Sequence, residues 1–566
     1  MKKMIKYLMK YWKIALLSPA LMLIEVMIDL YQPMLMQKII DVGIKESNLT
    51  FIREYALYMI GLSFVGMTGA VISGIVSVYA SQSAGADIRC DLFSKVQTLS
   101  FKNLDSLKPE SLITRLTNDV VQIQQFFQQL MRIMVRAPFM LIGSVVLTFY
   151  ISMKFGIILM GFISLLLLVV LIVMKQAKPL FKKVQTSVDS VNGVLLENVK
   201  GIRVIKAFVR QDYENNRFKK ENESLMTIQM KASRKFAIVM PMIMLTINLV
   251  IVAVLWFGGI EVVEDTMTVG QIVAVINYTT RLLFALMMTG MIFFRVSKSL
   301  ASADRINEVL NQSSEIVFDG NDYEIKGDLE FKNVSFKYND DSEDCVLENI
   351  NFSVNKGETL AIVGATGAGK SSLLQLITRF YEVNEGTIFV DGIDIKSYSK
   401  KSLREHIAYV QQNSFLFSGT LRTNVFFNSD VNEDVISHAQ ADNIMIQKEG
   451  LESEIMQRGS NLSGGQKQRL TIARGLAIKP KILLLDDSTS ALDVRTERNL
   501  KEALEMYYKD TTIVLVAQKI TSVMNADKIL IMDDGKIVGS GIHQDLLKNN
   551  LIYRDIYESQ IGKVIS

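Results

Sequence analysis

Long stretches without a charged residue constrain this chain more than any other feature. A helix needs about 20 apolar residues to cross the hydrocarbon core of a bilayer. Three stretches reach that length and contain no Lys, Arg, Asp or Glu. Each is therefore predicted to span a membrane. These stretches are residues 55–86, 155–174 and 236–260.

Three weaker stretches complete the pattern, one of them short and two interrupted by charges. Because lipid offers the backbone no hydrogen-bond partner, all six spans are predicted to be helices. Residues 1–310 are accordingly predicted to form an all-α polytopic membrane domain with long intracellular helical extensions. The weaker stretches are residues 14–37, which contain Glu25 and Asp29, residues 137–153, and residues 266–294, which contain Arg281.

Charge is distributed unevenly, although the formal net charge is only +4. Residues 1–310 contain 34 Lys and Arg against 21 Asp and Glu, and residues 311–566 contain 28 against 37. In the first part, basic residues concentrate at the N-terminus and in residues 175–235, whereas the loop at residues 261–265 is acidic. Cytoplasmic loops are enriched in Lys and Arg, so both termini are predicted to be cytoplasmic. The basic excess therefore indicates membrane topology, and no nucleic-acid partner is expected.

Composition narrows the cellular location. Two cysteines are too few for a disulfide scaffold or a cysteine-built metal centre. The absence of a transit-peptide pattern, together with abundant Lys, Ile and Asn, favours a bacterial plasma membrane. The chain is predicted to be a multi-pass protein of that membrane.

The second half of the chain predicts a nucleotide site. From residue 328, short alternating runs are typical of strands. An apolar strand at residues 359–364 leads into Gly-Ala-Thr-Gly-Ala-Gly-Lys-Ser and then a helix, which is the P-loop in its required context. Its backbone N–H groups can surround phosphates, Lys370 can reach the β and γ oxygens, and Ser371 can hold Mg²⁺. The predicted binding residues are Gly364, Ala365, Thr366, Gly367, Ala368, Gly369, Lys370, Ser371 and Ser372.

Two further motifs follow the P-loop. Residues 461–466 are Asn-Leu-Ser-Gly-Gly-Gln, and residues 481–486 are Lys-Ile-Leu-Leu-Leu-Asp, a buried strand that ends in an acid. In this order the motifs resemble those of the ABC transporter ATPase, and the whole chain resembles a half-exporter of that family. The resemblance implies a membrane domain at residues 1–310, a linker at 311–327 and an α/β nucleotide-binding domain at 328–566, with ATP and Mg²⁺ as ligands.

The resemblance also implies roles for individual residues. Tyr338 matches the aromatic residue that stacks on adenine, Gln412 matches a glutamine that contacts Mg²⁺, and Asp486 matches the acid on the Mg²⁺ side. Residues 106–120 and 197–214 fit solvated helix ends by spacing alone, but they resemble the coupling elements that dock on nucleotide-binding domains. The signature residues, which act on ATP held by the other subunit of a dimer, are Ser463, Gly464, Gly465 and Gln466.

Two positions depart from the family pattern, and both belong at the γ-phosphate. Where the family usually has a catalytic glutamate, this chain has Asp487. Its carboxylate lies about 1.5 Å closer to the backbone, and a misplacement of about 1 Å can cost about 100-fold in rate. The family's switch histidine is replaced by Gln518, which brings no positive charge to the developing phosphate charge. The site is predicted to bind ATP and hydrolyse it poorly.

An intact signature beside a weakened catalytic site favours a heterodimer. A homodimer would contain two impaired sites, whereas a heterodimer would contain one impaired and one competent site. The sequence resembles the degenerate-site subunit of heterodimeric bacterial multidrug exporters. The expected partner is a second half-transporter that carries the catalytic glutamate and the switch histidine.

The sequence limits the substrate only weakly. Glu25 and Asp29 lie four residues apart on one helical face within a span, where acids are expensive and usually functional. They fit a cavity that attracts cationic amphiphiles; the alternatives are ion pairs with a basic residue such as Arg136 or Arg281, or placement near a water-filled vestibule. Family resemblance favours export of drugs or other small amphipathic compounds. The alternatives are a peptide or lipid exporter subunit and a non-pumping regulatory or channel-like subunit.

Overall fold

The chain forms two compact units. The structure is a computed structural model that describes residues 1–339, 344–427, 430–446 and 450–561. The first unit contains Met1–Gln97 and Glu110–Asn311, and the second contains Thr98–Pro109 and Gln312–Ser566. A short segment from the first half of the sequence, Thr98–Pro109, therefore belongs to the second unit.

Residues 1–311 are almost entirely helical, as the apolar stretches predict. Two π-helical turns, Ile39–Ile44 and Arg115–Asp119, interrupt the α-helices. The helices are α1 Lys2–Met9, α2 Trp12–Lys38, α3 Leu49–Thr98, α4 Phe101–Leu107, α5 Pro109–Thr114, α6 Val120–Met131, α7 Ile133–Ile151, α8 Met153–Lys200, α9 Ile202–Ala207, α10 Gln211–Ala237, α11 Val239–Val263 and α12 Val269–Asn311.

Within the described residues, five helical stretches are long and apolar enough to cross a membrane. The described part of α8 adds a shorter apolar stretch, Met153–Leu165, and six spans remain the prediction. Helix α3 is 50 residues long and α8 is 48, so both extend well beyond a bilayer. The five stretches are Trp12–Ile44, Leu49–Thr98, Pro109–Ile151, Gln211–Val263 and Val269–Thr289.

Charged residues inside the first unit pair with one another. Arg136 on α7 contacts both acids of α2, with its guanidinium 2.6 Å from Glu25 Oε1 and 3.0 Å from Asp29 Oδ2. Arg281 on α12 lies 3.4 Å from Asp29 Oδ1. Two carboxylates of α2 thus face guanidinium groups from α7 and α12. A cavity of about 360 Å³ adjoins it, lined by Asp29, Arg136, Ala137, Met140, Arg281, Phe284, Ala285 and Met288.

A second charged group ties the helix turn after α5 to the end of α12. The buried Asp119 carboxylate accepts hydrogen bonds from the Ser302 hydroxyl at 2.8 Å and from Arg305 Nε at 2.7 Å. Arg115 in turn donates to the Arg305 carbonyl at 3.0 Å. Residues from sequence-distant helices are thereby held together in the first unit.

Twelve strands lie in the described part of the second unit, with short helices between them. The strands are β1 Leu329–Phe336, β2 Leu347–Val354, β3 Thr359–Gly364, β4 Glu385–Val390, β5 Ile393–Asp394, β6 Ile407–Val410, β7 Gly419–Thr420, β8 Glu454–Ile455, β9 Ile482–Asp486, β10 Thr512–Val516, β11 Lys528–Asp533 and β12 Lys536–Gly541. The helices are α13 Lys370–Ile377, α14 Lys400–His406, α15 Leu421–Phe426, α16 Asp434–His438, α17 Asp442–Ile446, α18 Gly464–Ala477, α19 Val494–Tyr507, α20 His543–Asn549 and α21 Leu551–Ile561.

The main sheet brings three loops to one edge. Its order is β12-β11-β3-β10-β9-β6, and all neighbours are parallel except the β11–β12 pair. Every residue of β9 and β10 is buried, as continuous apolar runs in a parallel sheet predict. The carboxyl ends of β3, β9 and β10 therefore meet at one edge, where ligands bind in open α/β sheets. A separate antiparallel sheet has the order β2-β1-β4-β5.

We expect Arg136→Gln to destabilise the first unit, because it leaves the largely buried Glu25 carboxylate without its counter-ion. Breaking a buried pair by removing one partner costs about 3–5 kcal/mol, and the partial exposure of Arg136 places this pair at about 3 kcal/mol. The double variant Glu25→Gln/Arg136→Gln removes the stranded charge and should recover most of the loss. The midpoint of thermal unfolding in detergent measures both effects.

Lys154→Gln is the matched control, since the ammonium of Lys154 pairs with Glu261 at 2.9 Å but is half exposed. Its effect should be within about 1 kcal/mol, as for other exposed pairs. A loss in the double variant equal to that in Arg136→Gln would show that the ion pair is not what stabilises these helices.

Candidate nucleotide-binding site

The loop after β3 has the backbone shape that phosphate binding requires. Gly367 and Gly369 have φ angles of 92° and 88°, in the left-handed region that favours glycine. A Cβ atom at Gly369 would lie 2.7 Å from the Leu347 side chain and 2.8 Å from the Val346 carbonyl oxygen. Helix α13 then begins at Lys370, so its N-terminus faces the loop. The structure thus places the predicted residues 364–372 in a glycine-containing turn followed by the first residues of a helix, an arrangement that suits a phosphate group.

Lys370 folds back on this loop. Its ammonium donates to the carbonyl oxygens of Gly364 at 2.9 Å and Ala365 at 2.6 Å. Burial lowers the pKa of Lys370, and the nearby Asp486 and Asp487 carboxylates oppose that effect. A cation held by neutral carbonyls can exchange them for phosphate oxygens with a gain in charge pairing.

Asp486, at the end of β9, is surrounded by hydroxyl groups. The Ser371 hydroxyl donates to Oδ1 at 2.9 Å, and the Tyr409 hydroxyl donates to Oδ2 at 2.9 Å. Asp486 is 4% exposed. A carboxylate and a serine hydroxyl side by side are hard oxygen donors of the kind that Mg²⁺ prefers together with phosphate oxygens. These residues therefore fit a magnesium ion, which would supply charge neutralisation at the phosphates.

Asp487 receives a different kind of partner. The side-chain amides of Gln412 and Gln518 both donate to its Oδ2, at 3.0 Å and 2.7 Å. Asp487 also has a φ of 47°, an uncommon conformation for a residue other than glycine. Burial raises the pKa of its carboxyl above the usual range, and the two amides act in the opposite direction. The two residues that depart from the family pattern are thus in direct contact.

The predicted adenine-side residue also has protein partners. The Tyr338 hydroxyl lies 2.9 Å from Ser372 Oγ and donates to Gln375 Oε1 at 3.1 Å. Its half-buried ring meets those of Phe336 and Tyr381 edge-on, with centroids 4.9 Å and 5.1 Å away. Tyr338 is therefore linked to α13, the helix that follows the P-loop.

The signature motif forms the start of α18. Ser463 is the N-cap residue, and its hydroxyl accepts from the Gln466 backbone N–H at 3.3 Å, while Gln466 Oε1 accepts from the Ser463 backbone N–H at 2.8 Å. This reciprocal capping box fixes the first turn. Ser463 and Gly464 are exposed. One turn later, Gln468 accepts from the Ala491 backbone N–H at 3.1 Å, so the motif is joined to the loop after Asp487.

Not every predicted residue lies near the P-loop. Glu25 and Asp29 belong to the first unit, in the ion cluster with Arg136 and Arg281. The sequence left ion pairing and a cavity role open; the structure contains the ion pairs, and Asp29 also lines the adjacent cavity.

Sequence reasoning did not identify Tyr409 or Gln375 as parts of the site. The available signal was the position of Tyr409 near the end of β6, the strand that pairs with β9. A polar aromatic residue there faces the end of an acid-bearing strand. Gln375 had no comparable signal, since a glutamine inside a helix after a P-loop carries no motif.

Comparison with known proteins agrees with this architecture. Residues 16–287 match the family described as the ABC transporter transmembrane region, and residues 347–490 match the family described as ABC transporter. The chain is 39% identical to the ABC transporter ATP-binding protein YfiB of Bacillus subtilis (strain 168), over 100% of this chain and 99% of that protein. It is 29% identical to the ATP-dependent lipid A-core flippase of Vibrio parahaemolyticus, over 99% and 98% of the two chains.

A solved structure of a bacterial Atm1-family ABC exporter with ATP bound has the same fold. Its TM-score is 0.79, at 23% identity, over 97% of this chain and 98% of that chain. The family match at residues 347–490 and the 39% identity to an ABC transporter ATP-binding protein show that the second half of the chain carries an ABC transporter ATPase domain, in which ATP hydrolysis is coupled to transport. Together, the helical membrane domain, the P-loop geometry and the full-length similarity show that this chain belongs to the ABC transporters, as a half-transporter with its membrane and ATPase domains fused in one polypeptide.

Proposed function

We propose that this chain is one subunit of a heterodimeric ATP-driven exporter whose own site binds ATP and hydrolyses it slowly. The observation that carries the proposal is the pair of amide donors on Asp487. Hydrolysis needs a residue that orients the attacking water and accepts its hydrogen bond. Gln412 and Gln518 occupy one oxygen of that carboxylate, and an aspartate reaches less far than a glutamate.

Gln518 weakens the site in a second way. A neutral amide contributes less than a cation to the stabilisation of charge that develops on the phosphate in the transition state. In this chain the amide is also engaged by Asp487 at 2.7 Å. The remaining features of the site, Lys370, Ser371 and Asp486, retain the groups that bind ATP and Mg²⁺. Binding without efficient turnover is the expected result.

The signature motif supplies the other half of the proposal. Its capping box is complete, and Ser463 and Gly464 are exposed and available to a partner. In a head-to-tail dimer these residues would complete the partner's nucleotide site. The proposed partner is a half-transporter of similar length that provides a catalytic glutamate and a switch histidine.

The two sites of the assembled transporter should respond unequally to substitutions in this chain. We expect Ser463→Ala to lower the ATPase rate by about tenfold or more, because it removes a donor from the competent site. Asp487→Asn should change the rate by less than about twofold, because its own site contributes little turnover. Steady-state ATP hydrolysis by the complex, isolated through a tag on this chain, measures both.

Ser399→Ala is the matched control for Ser463→Ala. Ser399 is the N-cap residue of α14, where its hydroxyl accepts from the Ser402 backbone N–H, so both variants remove a helix cap. A large loss of turnover in Asp487→Asn, with Ser463→Ala close to wild type, would place hydrolysis in this chain's own site.

Restoring the two family residues should restore turnover. The purified chain alone is expected to bind ATP but hydrolyse it slowly. Asp487→Glu/Gln518→His should raise its ATPase rate by about 100-fold, since both the position of the carboxylate and the charge near the γ-phosphate are recovered. Adding Lys370→Ala should abolish the gain. Full turnover by the unmodified chain, lost in Lys370→Ala, would contradict the heterodimer.

The proposed substrates are drugs or other small amphipathic compounds. The cavity beside the ion cluster combines charged residues with Met140, Phe284 and Met288, and methionine-rich surfaces adapt to varied apolar shapes. Lipid is the second candidate, favoured by similarity to a protein named as a lipid A-core flippase. The cluster presents both carboxylates and guanidinium groups, which fits zwitterionic headgroups as well as cations paired with Asp29.

Transport by proteoliposomes containing the assembled complex separates these classes. We expect ATP-dependent movement of a cationic amphipathic dye, with a fluorescent phospholipid moved more slowly. Preferential movement of the phospholipid would replace drugs by lipid as the substrate class. Preserved ATP binding without movement of either probe would indicate a non-pumping, regulatory subunit.

The proposed location is the bacterial plasma membrane, with both termini in the cytoplasm. The supporting observation is the basic N-terminal segment, in which α1 carries Lys2, Lys3 and Lys6 next to the first apolar helix. Lys and Arg are enriched on the cytoplasmic side of membrane proteins. The ATPase domain, which needs cytoplasmic ATP, lies at the other end of the chain.

A further inference from the structure

Tyr409 occupies an unusual place between two parts of the second unit. Its hydroxyl donates to Asp486 Oδ2 at 2.9 Å, while its ring packs edge-on against Phe380, with centroids 5.8 Å apart. A phenol hydroxyl is protonated at neutral pH and so acts here as a hydrogen-bond donor to the carboxylate.

The ring of Tyr409 connects, through Phe380, to the segment Thr98–Pro109. Phe101 of this segment stacks on Phe380, with ring centroids 4.4 Å apart and an interplanar angle of 29°. Beside this stack, the Tyr381 hydroxyl donates to Asp105 Oδ2 at 2.6 Å. All of these residues belong to the second unit. The segment thus reaches the magnesium-side carboxylate through two successive aromatic contacts.

We propose that Tyr409 is a positioning residue that orients Asp486 for Mg²⁺ and transmits the position of segment Thr98–Pro109, through Phe380, to that carboxylate. The proposal rests on the proposed nucleotide site. With Oδ2 held by the tyrosine, Oδ1 and the Ser371 hydroxyl, which lie 2.9 Å apart, would be the oxygens that hold the metal ion. A shift of the Phe101–Phe380 stack tilts the Tyr409 ring and changes how well Oδ2 is held.

The role of the hydrogen bond from Tyr409 to Asp486 is tested by Tyr409→Phe, which keeps the ring and removes the hydroxyl. Hydrogen bonds to charged groups are stronger than those between neutral groups, so their loss has a measurable effect on affinity. We therefore expect the Mg²⁺ concentration for half-maximal binding of mant-ATP to rise about tenfold. Affinity for mant-ATP in EDTA should stay within about twofold, because no metal is then involved. Fluorescence anisotropy on the purified full-length chain measures both values. Tyr398→Phe is the matched control, since the buried Tyr398 hydroxyl donates to the Val390 carbonyl at 2.8 Å.

The role of the ring contacts between Phe101, Phe380 and Tyr409 is tested by Phe101→Ala, alone and combined with Tyr409→Phe. Phe101 is 38% exposed, so the substitution should leave the chain folded. We expect Phe101→Ala to raise the Mg²⁺ requirement by about threefold in the wild-type background and by less than about 1.5-fold when Tyr409 is already Phe. Such non-additivity is the signature of residues that act through one another.

Three results would overturn the proposal. These are equal losses of mant-ATP affinity with and without Mg²⁺ in Tyr409→Phe, a similar rise in the Mg²⁺ requirement in Tyr398→Phe, and additive effects of the two substitutions. Any one of these results would show that Tyr409 stabilises the fold but does not position Asp486 for Mg²⁺. Failure of the unmodified chain to bind mant-ATP under any condition would instead contradict the proposed nucleotide site.

Discussion

Parallel pairing of β10 between β3 and β9 is the constraint on which the nucleotide site depends. The register pairs Val516 with Ile362 on one side and with Asp486 on the other. The P-loop, the acidic pair and the loop carrying Gln518 consequently start from the same edge of the sheet. A shift of register along β10 would move Gln518 away from Asp487 while leaving the P-loop intact. The burial of every residue in β9 and β10 opposes such a shift.

Two adjacent carboxylates at this edge have different surroundings. Asp486 accepts from two hydroxyls, which suits the proposed role in which one of these partners is exchanged for a metal ion. Asp487 accepts from two amides on one oxygen, which suits a residue held in a fixed position. Electrostatic preorganisation of this kind decides chemistry more than the mere presence of an acid. The proposed division between ATP binding in this chain and hydrolysis at the partner's site follows from that difference.

Much of this organisation could be predicted from the sequence. The P-loop and the signature are local motifs whose geometry is set by a few residues, and uncharged stretches identify membrane helices because lipid leaves no alternative. Contacts between side chains far apart in the sequence could not be predicted in the same way. Nothing in the sequence could decide between a cavity role for Glu25 and Asp29 and ion pairs with Arg136 or Arg281, since that depends on how α2, α7 and α12 approach one another. The aromatic contacts of Phe101 with Phe380 and of Phe380 with Tyr409 join residues hundreds or tens of positions apart, and no pattern marks them.

The nucleotide retained by each subunit after turnover shows directly which of the two sites hydrolyses ATP. The assembled transporter would be allowed to hydrolyse a photoreactive adenine-labelled ATP, trapped with orthovanadate and irradiated, and the label on each separated subunit would be identified. We expect triphosphate cross-linked to this chain and trapped diphosphate cross-linked to its partner. Trapped diphosphate on this chain would show that its own site, with Asp487 and Gln518, completes hydrolysis, and would contradict the proposed division between the two sites.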